Sequence, residues 1–503
     1  MDMTREHYRG AFRAVPGIPR SVVLFWVMLA LSPLLGGCEI NPETGGLSFN
    51  TVAPDEEKEI GAEAHRQVLA EFGGVYYDPP LASYIDRIGK KMGEQSVNRN
   101  FDYRFTILDS PAINAFAIPG GYVYITRGLL ALLDSEAEVA AVLGHELAHV
   151  TARHGAQRLS RMRAQDRFCA AFFCDFELPV LSDMAAVGLN LAFGGFTQDQ
   201  ELEADRLGIR YLKSAGYDSH AMASFLNKLK AHAGLEDEIA GLTEQQRMGR
   251  GYSSTHPLTE DRVALSGKFA GEGEATFPET SDREFLFNID GLLYGNRREY
   301  GFVVGDSYIH PIRRIAFDVP PSYTLYPDSR RVTAIGPDGA IMLFEPSRRL
   351  VRGSVLDYLE NVWAEGLVLE DARKLDINGM EGATGWLRRN TSRGQVDYRL
   401  VAIQMTTGVI YRFLFISPAA MTSRLSENMR AITYSFRMID AVEADQWQPL
   451  RIRIVSVGSN DSLESLASRS GFADYAVRRF TVLNALDPDV VLEPGRIVKT
   501  VSR

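Results

Sequence analysis

The chain has 503 residues, 45% of them hydrophobic and 23% charged, with a formal net charge of −10. That length exceeds one ordinary hydrophobic core, so roughly two to four domains are expected. The acidic balance leaves no electrostatic case for nucleic acid, and three cysteines are too few for a disulfide scaffold.

Arg5, Arg9, Arg13 and Arg20 precede an apolar run from Ser21 to Leu35 that ends in Leu35-Gly36-Gly37-Cys38. A basic segment, a short apolar core and small residues read as a secretory signal over 1–37. The run is too short for a span, which needs roughly 20 apolar residues. Its ending resembles a bacterial lipobox, which implies a lipid on Cys38 and membrane attachment through it. Glu39 stands where an aspartate commonly marks inner-membrane retention, which favours the outer membrane.

Residues 38–54 (Asn41, Pro42, Gly45, Gly46, Pro54) read as a tether. Ile60, Ala64, Val68 and then Leu81, Ile85, Ile88, Met92 repeat at helical spacing. Tyr103 to Leu108 alternates as a strand, and Asn114 to Ile125 reads as a hairpin turning at Pro119-Gly120-Gly121. The proline suggests an edge, so Asn114, Ala115, Phe116 and Ala117 could pair with an extended peptide.

A helix is expected from Ser135 to about Ala164, opened by a Ser135/Glu138 capping box. It carries His145-Glu146-Leu147-Ala148-His149, an HExxH pattern. Two histidines four apart share one helix face and can reach one ion, and Glu146 is placed to take a proton from a metal-bound water. His154 falls about 180° around that helix from His145 and reads as a capping or surface residue. The metzincin pattern fails as well, because Ala152 and Gly155 stand where it needs glycine and histidine. Cys169 and Cys174 sit in an apolar stretch from Phe168 to Phe196; on a helix they would point about 140° apart. A later acidic run, Gln200-Glu201-Leu202-Glu203-Ala204-Asp205, puts Glu201 and Asp205 on one face and Glu203 on the other. Glu201 can then bind metal while Asp205 accepts from a ligand histidine.

HExxH, then E-x-E-A-D-x-x-G, with N-A-F-A-x-P-G-G upstream and Ser253-Ser254-Thr255-His256-Pro257 through Arg262 downstream, resembles the HtpX/BepA-type zinc metalloproteases. The resemblance covers about residues 55–270. It implies one Zn²⁺ per chain held by His145, His149 and Glu201, with Glu146 as general base and Asp205 behind the ligands. Similarity to the BepA-type branch implies for His256 a fourth, displaceable ligand. The chain lacks the transmembrane helices of the HtpX-type members, so prenyl-peptide substrates are not expected.

After Gly271, strand patterns at 315–319, 332–335, 340–344 and 398–416 and helices near 355–363 and 421–436 imply an α+β domain at 280–445. Residues 451–503 read as strand–helix–helix–strand, similar to LysM modules, which bind peptidoglycan; a divergent module binding no sugar fits as well. The expected architecture is α+β and multidomain: a mainly helical gluzincin domain with a small edge-stranded sheet, the α+β domain, and a βααβ LysM-like module. The expected function is a periplasmic, lipid-anchored zinc endopeptidase acting on unfolded or misassembled envelope polypeptides. A chaperone or scaffold with a latent metal site, docked on the cell wall, is the competing expectation.

Overall fold

The computed structural model describes residues 38–172, 195–239, 256–271, 279–347 and 353–503, apart from 42, 100, 392–393, 406–407 and 473. The signal expected at 1–37 and Cys174 lie outside the described residues.

Residues 38–54 differ from the expected tether. β1 (Cys38–Ile40) pairs antiparallel with β2 (Leu47–Phe49). The polar side chains that made this stretch look like a linker are used as fasteners. Asn41 Nδ2 donates to Ala152 O at 2.8 Å, Glu43 accepts from Val97 N at 2.9 Å, and Ser160 Oγ accepts from Thr51 N at 2.8 Å.

Helices α1 (Pro54–Glu71) and α2 (Pro79–Gly93) each begin on proline, whose missing N–H costs nothing in a first turn. Strands β3 (Arg104–Leu108), β4 (Ala115–Ile118) and β5 (Tyr122–Thr126) form a sheet of order β3-β5-β4. β5 runs parallel to β3 and antiparallel to β4. The β4–β5 turn places Gly120 and Gly121 both at φ +86, a region that suits glycine.

Helix α3 (Arg127–Leu132) precedes α4 (Glu136–Thr151). Ser135 caps α4 by accepting from Glu138 N at 3.0 Å, but the capping box is only half made. The Glu138 carboxylate takes Asp134 N instead, at 2.8 Å. The single helix expected to Ala164 is two: Arg153 adopts φ 57, and α5 (His154–Phe172) starts afresh. A left-handed arginine costs about 1–2 kcal/mol. It is held by its guanidinium, which donates to Val52 O at 2.7 Å and to Glu57 at 2.8 Å.

Helices α6 (Gln198–Ala215), α7 (Ala221–Ile239), α8 (Glu260–Ala270) and α9 (Glu279–Ile289) complete this region. α4 and α6 approach closely because each presents a glycine. A Cβ on Gly208 would lie 3.1 Å from His145 N, and one on Gly144 would lie 3.6 Å from Gly208 Cα. No helix among the described residues is long and apolar enough to cross a membrane.

Strands β6 (Leu293–Tyr294), β7 (Phe302–Val304), β8 (Ser307–His310), β9 (Ile315–Asp318), β10 (Thr324–Pro327), β11 (Val332–Ile335), β12 (Ile341–Pro346), β13 (Glu370–Ile377), β14 (Met380–Thr391), β15 (Gly394–Gln404), β16 (Ile410–Pro418) and β17 (Arg437–Met438) follow. They build a seven-stranded sheet of order β10-β11-β12-β16-β15-β14-β13 and a four-stranded one of order β17-β9-β8-β7. Helix α10 (Val355–Tyr358) packs with Ala383, Leu387 and Leu400. Helix α11 (Thr422–Ser435) buries Leu425, Met429 and Ile432 with Phe317 and Phe413.

After α12 (Ala441–Gln446) come β18 (Leu450–Ser456), α13 (Leu463–Arg469), α14 (Ala476–Leu483) and β19 (Ile497–Ser502). β18 pairs with β19 and also with β6. This βααβ unit does not stand apart: Ile452, Val482, Leu483 and Val501 join the same buried core as α2, α4, α6 and α7.

Candidate metal centre

Four side chains from three parts of the chain converge. α4 supplies His145 and His149, α6 supplies Glu201, and the turn before α8 supplies His256; all four are buried, with one ligand atom from each lying within 4.8 Å of the others. His145 Nε2 is 3.1 Å from His149 Nε2, 3.3 Å from His256 Nδ1 and 3.5 Å from Glu201 Oε2. His149 Nε2 is 3.5 Å from Glu201 Oε1. Donor atoms around a tetrahedral zinc, with bonds of about 2.0–2.1 Å, stand about 3.3 Å apart. The spacing and the nitrogen/oxygen donor set fit such an ion.

The groups behind the donors fix their directions. His145 Nδ1 is 2.9 Å from Asp205 Oδ1. Arg262, fully buried on α8, grips Asp205 with Nε and Nη2, both at 2.8 Å, and sets Nη1 2.8 Å from Glu201 Oε2. Burial opposes charge on His145, but the bonds to Asp205 and Glu201 outweigh it and push the imidazole up to about 9. Burial likewise opposes a charged Asp205, and the Arg262 guanidinium overcomes it, holding the carboxyl below its usual range. Sequence reasoning quoted Arg262 without giving it a role; a buried arginine beside two acidic residues needs the tertiary fold to be seen.

Glu146 lies fully buried beside the cluster. Burial pushes its carboxyl up, and neither oxygen has a hydrogen-bond partner among the described residues. His256 Nε2 lies 3.5 Å from Oε1. A buried carboxylate without a hydrogen bond is costly and marks a place where something else is handled.

One reading needs correction. His154 is neither a surface residue nor a cap: it is fully buried, with Nδ1 2.8 Å from His149 Nδ1 and Nε2 3.0 Å from Glu203 Oε2. The angle of about 180° assumed an unbroken helix, and the break at Arg153 turns the ring back. Glu203 leaves the metal face of α6, as periodicity placed it, and lies half-buried against His154. Phe196, also unread in the sequence, stacks on the His149 ring at 4.0 Å and 16°.

Asn114 and strand β4 lie at the free edge of the three-stranded sheet, among the described residues. Asn114, Ala115, Phe116 and Ala117 are all buried.

Residues 79–266 match Peptidase family M48. The beta-barrel assembly-enhancing protease of Yersinia pestis is 31% identical over 266 residues, 50% of this chain and 52% of that relative. Its counterpart in Escherichia coli (strain K12) is 28% identical over 267 residues, 51% and 53% of the two chains. The mitochondrial metalloendopeptidase OMA1 of Schizosaccharomyces pombe is 28% identical over 286 residues, 54% of this chain and 80% of the relative. The chain thus spans about half the length of the bacterial relatives it matches.

Proposed function

Residues 79–266 match Peptidase family M48, and from that premise we propose that the chain is a zinc-dependent endopeptidase. It cleaves misfolded or misassembled envelope polypeptides in the periplasm. The observation that carries this reading is the convergence of His145, His149 and Glu201 beside a buried Glu146 with no hydrogen-bond partner. Bacterial relatives named for enhancing β-barrel assembly support the substrate class.

When bound, zinc supplies a Lewis acid that polarises the scissile carbonyl and lowers the pKa of water to about 7. Glu146 takes the proton of the attacking water and returns it to the leaving amine. Asp205 and Arg262 orient His145 and Glu201 through the contacts above. The β4 edge, Asn114 to Ala117, receives the substrate as an added strand. His256 occupies the fourth position and withdraws for turnover.

Cys38 carries the lipid that tethers the enzyme to the outer membrane, and residues 451–503 dock it on peptidoglycan; the βααβ order supports the second point. Cys38→Ala should abolish lipid labelling, and loss of the C-terminal unit's fold should release the protein from isolated cell-wall sacculi. The test of the central reading joins two measurements. Purified wild type should hold about one zinc per chain and cleave an unfolded outer-membrane β-barrel protein, and Glu146→Gln should keep the zinc and lose the cleavage. A metal-free wild type, or a Glu146→Gln protein as active as wild type, overturns it.

A further inference from the structure

A chain of three side chains leads away from the centre: His149, His154, Glu203. The two ring nitrogens His149 Nδ1 and His154 Nδ1 are 2.8 Å apart and must share one proton. Placed on His149 Nδ1, it leaves His149 Nε2 bare and facing His145 Nε2 and Glu201. His154 Nδ1 then accepts, and its Nε2–H donates to Glu203 Oε2 at 3.0 Å. Placed instead on His154 Nδ1, the proton leaves a neutral His154 with a bare Nε2 against a carboxylate. A doubly protonated His154 avoids that clash but forces the His149 proton onto Nε2, 3.1 Å from His145 Nε2 and in the ion's place.

We infer that His154 and Glu203 are positioning residues: the Glu203 carboxylate selects the tautomer of His154, which selects the metal-binding tautomer of His149. The inference rests on the zinc reading of the site. Phe196 stacked on the ring keeps His149 from turning away.

The fold is built to make this relay. On a continuous helix, His154 would sit about 140° around from His149 and could not reach it. The left-handed Arg153 brings it back, and residues in and before the first turn of α1 hold that break: Val52 and Glu57 take the Arg153 guanidinium, and Asn41 caps Ala152 O. Outer partners of ligand histidines typically contribute about 10–100-fold in metal affinity.

The test measures zinc affinity of the full chain by competition with a chromophoric chelator, and the absorption spectrum of the cobalt(II)-substituted protein. His154→Leu keeps apolar bulk and removes the acceptor; it should weaken zinc about 10–100-fold and alter the cobalt spectrum. His154→Asn places a carbonyl oxygen near the lost Nδ1, accepts from His149, and should restore affinity and spectrum towards wild type. Glu203→Ala, at a half-buried position where folding is not at stake, should weaken zinc by at least about 3-fold. It decides the matter alone if His154→Leu does not fold. Wild-type affinity in both His154→Leu and Glu203→Ala, or equal losses in His154→Leu and His154→Asn, overturns the relay. A wild type that binds no zinc overturns the metal reading instead.

Discussion

Helix α4 lies between two buried charge clusters built on opposite rules. Near its N-terminus Glu138, Asp134, Lys228 and Lys499 answer one another, and only Asp282 among the described neighbours keeps a buried oxygen without a hydrogen bond. Lys228 pairs with Glu138 and Asp134 at 2.5 Å each, and Ser224 donates to the other Glu138 oxygen at 2.6 Å. Lys499, arriving from β19, donates to the carbonyls of Ala131, Leu132 and Leu133 at 2.9, 3.0 and 2.8 Å and meets Asp134 at 2.6 Å. Those carbonyls end α3 and would otherwise be orphaned. At the metal end, three ring nitrogens and a carboxylate crowd together while Glu146 has no hydrogen-bond partner. The first cluster ties β19 to α3 and α7; the second leaves a buried carboxylate without a hydrogen bond beside four converging donors. Stability and reactivity are assigned to different ends of one helix.

The comparison breaks most visibly at Glu146. Glu146→Gln should lower kcat about 10²–10⁴-fold, while the unfolding midpoint of the metal-free protein holds or rises. Loss of the unpartnered charge relieves a desolvation cost. A large drop in stability would show that Glu146 is structural after all.

Lys499→Met should do the reverse. Three carbonyls lose their donor, although Asp134 keeps Lys228, so we expect a loss of about 2–3 kcal/mol in denaturant unfolding. Burial pulls the Lys499 amine down to about 8 against the pull of Asp134, so part of the lock's gain is already spent on desolvation. Cleavage per folded molecule should be unchanged. Equal stability with altered cleavage would mean that the C-terminal unit controls the site rather than bracing it.

Arg262→Lys tests the border between the two rules, because this arginine is paired like the lock yet stands behind the donors. Lysine cannot reproduce its grip on Asp205 and Glu201. Zinc affinity of the folded protein should fall about 10–100-fold, read by chelator competition, and metal-free stability should fall as well, because the buried carboxylates lose part of their pairing.

The two ends were unequally legible in the sequence. Helical periodicity put His145 with His149, and Glu201 with Asp205, on shared faces, and the structure brings both faces together; the choice of Glu201 as a ligand and Glu146 as base came from the family resemblance. His154 did not follow from spacing, because one residue, Arg153, in a left-handed conformation cancels the angle that periodicity gives. Arg262 and Lys499 were equally silent, since their partners lie 57 residues and more than 360 residues away. The accessory strands β9, β11 and β12 were readable as short, largely apolar runs. The charged β13, with most of its residues solvent-facing, and the glycine- and arginine-bearing β14 were not. Polar residues 38–54 looked like a linker because composition cannot tell a solvated asparagine from one that caps a helix.

The smallest expected effect concerns His256, which belongs to both descriptions at once. Its Nδ1 lies 2.9 Å from Glu201 Oε1 and 3.3 Å from His145 Nε2, so with it in place the donor set numbers four, the closed arrangement of structural zinc. Catalysis needs that fourth position open for water. An always-open protease among unfolded polypeptides would be hazardous, which gives a removable ligand a physical purpose. If the closed form holds about nine-tenths of the molecules, removing the latch raises the rate about tenfold. We therefore expect His256→Ala to keep its zinc on three remaining ligands and to cleave a generic unfolded substrate faster than wild type. The opposing role is a donor to the developing oxyanion, whose loss costs about 100-fold or more. The signs differ, so one turnover measurement with zinc content checked beside it separates them: a fall with zinc retained removes the latch.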